Sequence, residues 1–244
     1  MPRFFALASN IGKSTVVLGE DDAKHLRALR ISIGDTLIIC DSNGTDYSCR
    51  IVRLDRNGVE AEIIFTAPSE SEPSVYCTIY AAYPKGDKVE TIIQKCTELG
   101  ASEFVFFQSA RCVSRPRESA LAKKLDRWNK IAREAAGQSG RGRIPTVSTL
   151  DSFGEMLDHA EAQSPLRLFM YEAGERVPLS GAIPSQTESA AIITGSEGGF
   201  ESYEAAAALA KGFSVCSMGA RILRCETAPL TALTALMLIT GNLD

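Results

Sequence analysis

Two glycine-bearing segments near the C-terminus place the strongest constraint on how this chain folds. They are residues 194–200 (Thr-Gly-Ser-Glu-Gly-Gly-Phe) and residues 218–228 (Met-Gly-Ala-Arg-Ile-Leu-Arg-Cys-Glu-Thr-Ala). Each follows a short apolar run typical of a buried strand and precedes a run that favours a helix. The predicted strands are residues 190–193 and 213–217, and the predicted helices are residues 201–210 and a helix from about Thr227. We therefore expect two strand-turn-helix units on neighbouring strands, whose glycines let backbone approach a ligand in one pocket.

The rest of the chain divides into a β-rich part and an alternating part. A small β domain is predicted from strands at residues 4–7, 15–18, 36–41, 47–54 and 59–65. Residues 68–73 are rich in proline and serine and predict a linker. Beyond it, predicted strands (75–82, 103–107, near Val147, 166–172) alternate with predicted helices (87–99, 118–136, 151–162). This order predicts domains at residues 1–72 and 73–244, the second an α/β domain with a mostly parallel sheet.

Composition excludes several classes of protein. The 244 residues are 45% hydrophobic, which is enough for a sizeable core. The sequence contains no run of about 18 uncharged apolar residues, the length that a membrane-spanning helix needs. The N-terminus lacks the pattern of a secretory signal, so we expect a cytoplasmic protein without a membrane partner. Seven cysteines, an odd number without C-x-x-C spacing, and two histidines predict neither a metal site nor a disulfide framework.

The positive charge is concentrated in two places although the net charge is −4. Residues 109–145 carry ten Lys or Arg against three Asp or Glu, and Arg111 and Arg141 belong to this group. Lys24, Arg27 and Arg30 form a second group on a predicted helix, where their spacing of three places them near one face. Either group could be a solvated surface, but the density in 109–145 favours contact with phosphates.

The two glycine segments resemble the SPOUT class of RNA methyltransferases, and within it the RsmE family, which methylates N3 of a uridine in small-subunit ribosomal RNA. Family members read Ile-Gly-Pro-Glu-Gly-Gly-Phe and Leu-Gly-x-Arg-Ile-Leu-Arg-x-Glu-Thr-Ala, and this chain departs at Thr194, Ser196 and Met218. Residues 1–72 resemble the family's PUA-like β-barrel. Further signatures of the family lie at residues 25–30, 85–90, 94–100, 127–132 and 134–141.

The resemblance implies a C-terminal trefoil knot whose turns bind S-adenosylmethionine, with a third contact from the loop that follows residues 169–172. It places one wall of the site at Thr194, Gly195, Glu197, Gly198 and Gly199. The other wall consists of Met218, Gly219, Ile222, Leu223, Arg224, Thr227 and Ala228, with Ile222 and Leu223 enclosing the adenine.

The resemblance also implies catalytic roles and partners. Glu197 either orients its loop or accepts the N3 proton, and Arg224 either stabilises the uracil oxygens or pairs with an acid. The base must be unpaired, because N3 lies on the Watson–Crick edge. The expected partners are 16S ribosomal RNA in the small subunit, held by Lys24, Arg27, Arg30, Arg111 and Arg141, and a second copy of the chain, since SPOUT enzymes are usually dimers. The apolar run 230–239 suits either that interface or an ordinary core helix.

Three other functional hypotheses have weaker support in the sequence. Residues 12–15 (Gly-Lys-Ser-Thr) resemble the end of a P-loop, but position 7 is leucine where that motif needs glycine. A Rossmann oxidoreductase would need a G-x-G-x-x-G turn between a strand and a helix, which the chain lacks. A non-catalytic RNA-binding or ribosome-assembly protein with the same fold stays open, because the departures at Thr194 and Ser196 fall in the pocket.

Overall fold

Short runs of β-branched and apolar residues form a five-stranded sheet in the N-terminal part of the computed structural model, which describes residues 1–116 and 118–243. Arg117, one of the basic residues of segment 109–145, and Asp244 lie outside the described residues. The strand order is β1-β3-β4-β5-β2, with β1 and β3 parallel and the other pairs antiparallel. The strands are β1 (Arg3–Phe5), β2 (Thr15–Leu18), β3 (Thr36–Cys40), β4 (Thr45–Leu54) and β5 (Val59–Pro68).

This sheet belongs to a first compact unit, which comprises Met1–Glu72 together with Ala136–Ile144. Helix α1 (Glu20–Ala28) contributes Ala23 and Leu26 to the core of the unit, where both are fully buried among the apolar residues of the strands. The segment Ala136–Ile144 is a departure from the predicted boundaries, because it packs with the N-terminal residues and not with its sequence neighbours.

The second unit, built from the remaining residues, contains a seven-stranded sheet in which every pair is parallel. Its order is β10-β12-β9-β11-β6-β7-β8. The strands are β6 (Tyr76–Ala82), β7 (Glu103–Phe107), β8 (Thr146–Leu150), β9 (Leu166–Met170), β10 (Val177–Pro178), β11 (Ser189–Thr194) and β12 (Ser214–Ser217). The helices are α2 (Lys88–Glu98), α3 (Glu118–Gln138), α4 (Phe153–Gln163), α5 (Leu179–Ala182), α6 (Ser202–Ala210) and α7 (Thr227–Ile239). Within the described ranges, no helix is long and apolar enough to cross a membrane.

The sheet order corrects one prediction about the two glycine segments. Strands β11 and β12 are not neighbours, since each pairs with an opposite edge of β9. Their glycine turns therefore lie on either side of the end of β9, at the edge where the carboxyl ends of three parallel strands meet.

Aromatic packing holds the first glycine turn against the core. Phe200 directly follows the turn and is 1% exposed. Its ring lies 4.4 Å from that of Phe169 on β9, measured between centroids, and stacks on Phe107 of β7 at 6.5 Å. Because buried aromatic pairs of this kind allow little rearrangement, they limit how far the turn can move.

Candidate active site

A cleft of about 570 Å³ lies at the carboxyl ends of β9, β11 and β12, which is where open parallel sheets bind their ligands. Its lining includes residues 194–200, most of residues 218–228, and Met170, Tyr171 and Glu172 at the end of β9 and just beyond it. Of the predicted cofactor residues that the structure describes, Thr227 alone stands outside the lining; it is the exposed first residue of α7.

The first wall is a tight turn in which several positions require glycine. Gly199 has φ of 66°, and its N–H donates to the Ser196 carbonyl oxygen at 3.0 Å. A Cβ atom on Gly195 would lie 3.0 Å from the Gly199 Cα, and one on Gly198 would lie 2.9 Å from the Arg111 Cβ. The glycines therefore serve two purposes, a left-handed backbone at Gly199 and close packing against neighbouring chain at the other two.

The second wall presents apolar side chains to the cleft. Gly219 has φ of 99° and turns the chain after β12. Ile222 is 86% exposed, and it lines the cleft together with Met218, Leu223 and Ala228. An isoleucine with so much exposed surface beside a concave site is a typical contact for a flat apolar group.

Glu197 is held as an anion at the edge of the cleft. Its Oε1 accepts hydrogen bonds from Lys88 Nζ at 2.9 Å and from the Lys85 backbone N–H at 3.0 Å. Burial acts to raise the pKa of this carboxyl, but the two hydrogen bonds outweigh it and lower the pKa to about 2. A carboxylate that binds protons this weakly is a poor general base near neutral pH.

Lys88 also reaches the second wall, where it contacts a carboxylate and a thiol. Its Nζ lies 3.5 Å from Glu226 Oε2 and 3.6 Å from Cys225 Sγ. Burial, followed by a hydrogen bond to Glu226, raises the pKa of the Cys225 thiol to about 12. Cys225 is thus a neutral thiol that donates to Glu226 at 3.3 Å, and it is not an activated nucleophile.

The Arg111 side chain contacts the back of the first wall. Its guanidinium makes a bidentate ion pair with Glu201, with N–O distances of 2.9 and 3.0 Å, and also donates to the Gly198 carbonyl oxygen at 3.0 Å. The neighbouring Ala110 N–H donates to buried Glu204 at 3.0 Å. These contacts attach the loop after β7 to the glycine turn and to the start of α6, so a contact of Arg111 with RNA stays a prediction.

Arg141 does not lie where the sequence predicted. Arg141 is buried in the first unit, with 4% of its side chain exposed, and its Nη2 atom pairs with Glu72 Oε2 at 2.7 Å. This burial contradicts the prediction that Arg141 holds the RNA backbone. The physical reason is that Glu72 also accepts hydrogen bonds from the N–H groups of Gly142 and Arg143. The buried ion pair and these hydrogen bonds together attach residues 141–143 to Glu72 within the first unit.

The N-terminal cations are all exposed, but they do not share one helix face. Lys24 and Arg27 lie on α1, and Arg27 donates to the Ala23 and Asp55 carbonyl oxygens. Arg30 lies beyond the end of α1 in a left-handed conformation with φ of 59°. Helix periodicity therefore applies to the first two residues only, and phosphate contact by the three stays a prediction.

Three arginines in the lining of the cleft are exposed. Within residues 1–116 and 118–243, the guanidinium groups of Arg221 and Arg224 make no hydrogen bond or ion pair, whereas that of Arg176 donates to the Glu172 carbonyl oxygen. Arg224 was predicted as a site residue, but Arg221, Arg176 and Lys88 were not assigned roles. The only sequence signal for Arg221 and Lys88 was their place inside the motifs at 218–228 and 85–90.

Comparison with known proteins matches both units of the chain. Residues 71–237 match the RNA methyltransferase domain, and residues 18–64 match the RNA methyltransferase PUA domain. Ribosomal RNA small subunit methyltransferase E of Bacillus subtilis (strain 168) is 35% identical over 225 residues, which cover 90% of this chain and 88% of that protein. The same enzyme of Synechocystis is 34% identical and covers 95% of this chain and 75% of that protein.

A solved structure agrees with the sequence comparison. Ribosomal RNA small subunit methyltransferase E from Neisseria gonorrhoeae, crystallised bound to S-adenosyl methionine, superposes with a TM-score of 0.88 at 31% identity, over 98% of this chain and 97% of that one. The fold and the cleft define an RNA methyltransferase of the SPOUT class. Within that class, the chain belongs to the ribosomal RNA small subunit methyltransferase E family, RsmE.

Proposed function

We propose that this chain transfers the methyl group of S-adenosylmethionine to N3 of a specific uridine in 16S ribosomal RNA of the small subunit. The observation that carries the proposal is the cleft itself. Two glycine turns at parallel strand ends enclose it, an apolar wall lines one side, and two exposed arginines, Arg221 and Arg224, lie at the same place. Membership of the family supplies the substrate.

The residues of the cleft fit S-adenosylmethionine. Met218, Ile222 and Leu223 offer apolar surface for the adenine. Residues 195–199 have few side-chain atoms, so their main-chain N–H and C=O groups would be available to hydrogen-bond the cofactor. The carboxylate of Glu172 occupies the space that a Cβ atom on Gly199 would need, which puts a negative charge in the cleft for a cationic ligand. When bound, this cofactor supplies an electrophilic methyl group on a sulfonium.

Of the two predicted roles of Glu197, we propose the orienting one, which its pairing with Lys88 and Lys85 supports. An anion with a pKa of about 2, bonded to Lys88 and Lys85, keeps the turn in place and has little affinity for the N3 proton. Arg224 stabilises the negative charge that develops on the uracil oxygens as N3 loses its proton. Alignment of the two reactants is the larger contribution, about 7–11 kcal/mol at best.

Contact with the RNA backbone is assigned to exposed cations in each unit. Lys24, Arg27 and Arg30 serve this purpose in the first unit, and Arg221 and Arg176 do so beside the cleft. Exposed arginines suit phosphate because their planar guanidinium binds two oxygens at once.

We also propose that the chain works as a homodimer through α7. This helix has no charged residue, and its outward side chains include Leu238, which is 57% exposed. The substitution Leu238→Glu is expected to give a monomer in sedimentation velocity. Leu209→Glu on α6, at a leucine 63% exposed, is the matched control and should leave the dimer unchanged.

The test of function uses S-adenosylmethionine and small ribosomal subunits from a strain that lacks the endogenous enzyme. Because the substrate is ribosomal, we place the reaction in the cytoplasm. Mass spectrometry of the ribosomal RNA should then show new N3-methyluridine at one site. Cofactor binding without methylation of subunits or naked RNA would indicate another RNA target. Absence of cofactor binding would favour a non-catalytic RNA-binding protein.

A further inference from the structure

Lys88 is the first residue of α2, and its ammonium group contacts both walls of the cleft. The contacts are Glu197 Oε1 in the first wall at 2.9 Å and Glu226 Oε2 in the second wall at 3.5 Å. Lys88 also lines the cleft, and its side chain is only 28% exposed. One cation therefore connects two loops that are separated in the sequence and that follow different strands.

The position of Lys88 is unfavourable for α2 by itself. The first turn of a helix carries the positive end of the macrodipole, where acidic side chains are stabilising and lysine is not. The two carboxylates compensate for this, and the hydrogen bond to Glu197, the largest contribution, raises the pKa of Lys88. A lysine at such a position indicates a role beyond the helix.

Removal of the ammonium would leave two partly buried carboxylates close together. Glu197 and Glu226 have side chains 32% and 21% exposed, and both touch the same Nζ atom. Without the cation between them, these two negatively charged carboxylates would repel each other and push the two walls apart. The hydrogen bonds from Lys85 N–H and Cys225 Sγ would remain, but each of them reaches a single wall.

We propose that Lys88 is a positioning residue that holds the two cofactor-binding walls at their working separation by neutralising Glu197 and Glu226 together. The inference rests on the proposed function in that the cleft binds S-adenosylmethionine. The contacts themselves exist without the cofactor, so the clamp can be examined in the free protein as well.

The test compares Lys88→Met with Lys95→Met, which removes the same side chain from the same helix. Lys95 pairs with Glu98 at 2.9 Å and does not line the cleft. Isothermal titration calorimetry should show S-adenosylmethionine binding weakened about 10- to 100-fold by Lys88→Met, since a charge-assisted interaction is lost. Lys95→Met should bind as the wild type does. Lys88→Arg should recover most of the affinity.

A rescue separates charge neutralisation from general damage. In the double variant Lys88→Met with Glu226→Gln, the repulsion is gone, so part of the affinity should return. In the cofactor-free protein, hydrogen exchange of residues 194–200 and 218–228 should quicken in Lys88→Met and slow again in the double variant.

Two outcomes would overturn the clamp. One is binding and exchange in Lys88→Met equal to those of Lys95→Met, and the other is a loss that Glu226→Gln does not relieve. If the wild type binds no S-adenosylmethionine, the proposed function fails, but the exchange comparison still decides whether Lys88 holds the walls.

Discussion

Replacement of Gly198 by alanine should damage the cleft through packing alone. The φ angle of Gly198 is not in the left-handed region, so alanine brings no backbone strain there. The new Cβ would lie 2.9 Å from the Arg111 Cβ and 3.2 Å from its carbonyl oxygen. Arg111 cannot move aside freely, because Glu201 and the Gly198 carbonyl oxygen hold its guanidinium. The turn itself must shift.

The size of the effect follows from the cost of overpacking. Inserting one methyl group into a well-packed site costs about 1–3 kcal/mol. If the turn retains its position, this cost appears as a melting temperature lower by about 2–4 °C for each kcal/mol. If the turn moves to relieve the contact, the cost appears as affinity for S-adenosylmethionine reduced by about 5- to 150-fold.

Two glycine variants serve as controls for Gly198→Ala. Gly142→Ala also collides, with Ser69 in the first unit, so it should lower stability without changing cofactor affinity. Gly154→Ala in α4 meets only the Ser152 Oγ, at 3.9 Å, and should be neutral or slightly stabilising. Calorimetric titration and thermal unfolding of the three variants measure this packing effect. Equal results for Gly198→Ala and Gly154→Ala in both measurements would contradict it.

Three further outcomes are expected. Arg224→Ala should lower the single-turnover methylation rate about 100-fold while cofactor affinity changes little; a fall in stability instead would indicate a structural ion pair. The pKa of Glu197 is lowered in the folded protein. Its carboxylate therefore stabilises the fold fully when the pH is above the unfolded-state pKa of 4.5, and this contribution is lost as the pH falls towards 2. After allowance for solvent screening, the free energy of unfolding of wild type should exceed that of Glu197→Gln by about 1 kcal/mol at pH 6 in urea titrations, and the difference should vanish near pH 2. Arg141→Met should destabilise the first unit by about 3 kcal/mol in the same assay, because Glu72 loses its buried partner; an unchanged midpoint would contradict this.

Local patterns predicted most of the secondary structure. The predicted strands 15–18 and 103–107 coincide with β2 and β7 residue for residue, because turn residues bound these apolar runs on both sides. Strand β10 and helix α5 were missed, since two and four residues are too few to show a period. The predicted linker 68–73 began one residue early, because Pro68 ends β5.

The site was predicted in part. The cleft contains every predicted cofactor residue among those described except Thr227, because strand-turn-helix units at parallel strand ends leave their turns at one edge of the sheet. The prediction of neighbouring strands was wrong, since the order of strands depends on packing across the whole sheet. The trefoil knot stays a prediction.

The two glycine turns, the alternation of strands and helices, and the membership of an RNA methyltransferase family could all be predicted from the sequence, because each depends on local patterns of residues. Which charges meet depends instead on how the chain folds in three dimensions. Lys88 and Glu197 are 109 residues apart, and Arg141 and Glu72 are 69 apart. Charge density along the chain cannot distinguish an arginine buried against a carboxylate from one that is free at a cleft. Sheet order and packing bring such distant groups together, and they thereby decide which cations build the site and which remain for the substrate.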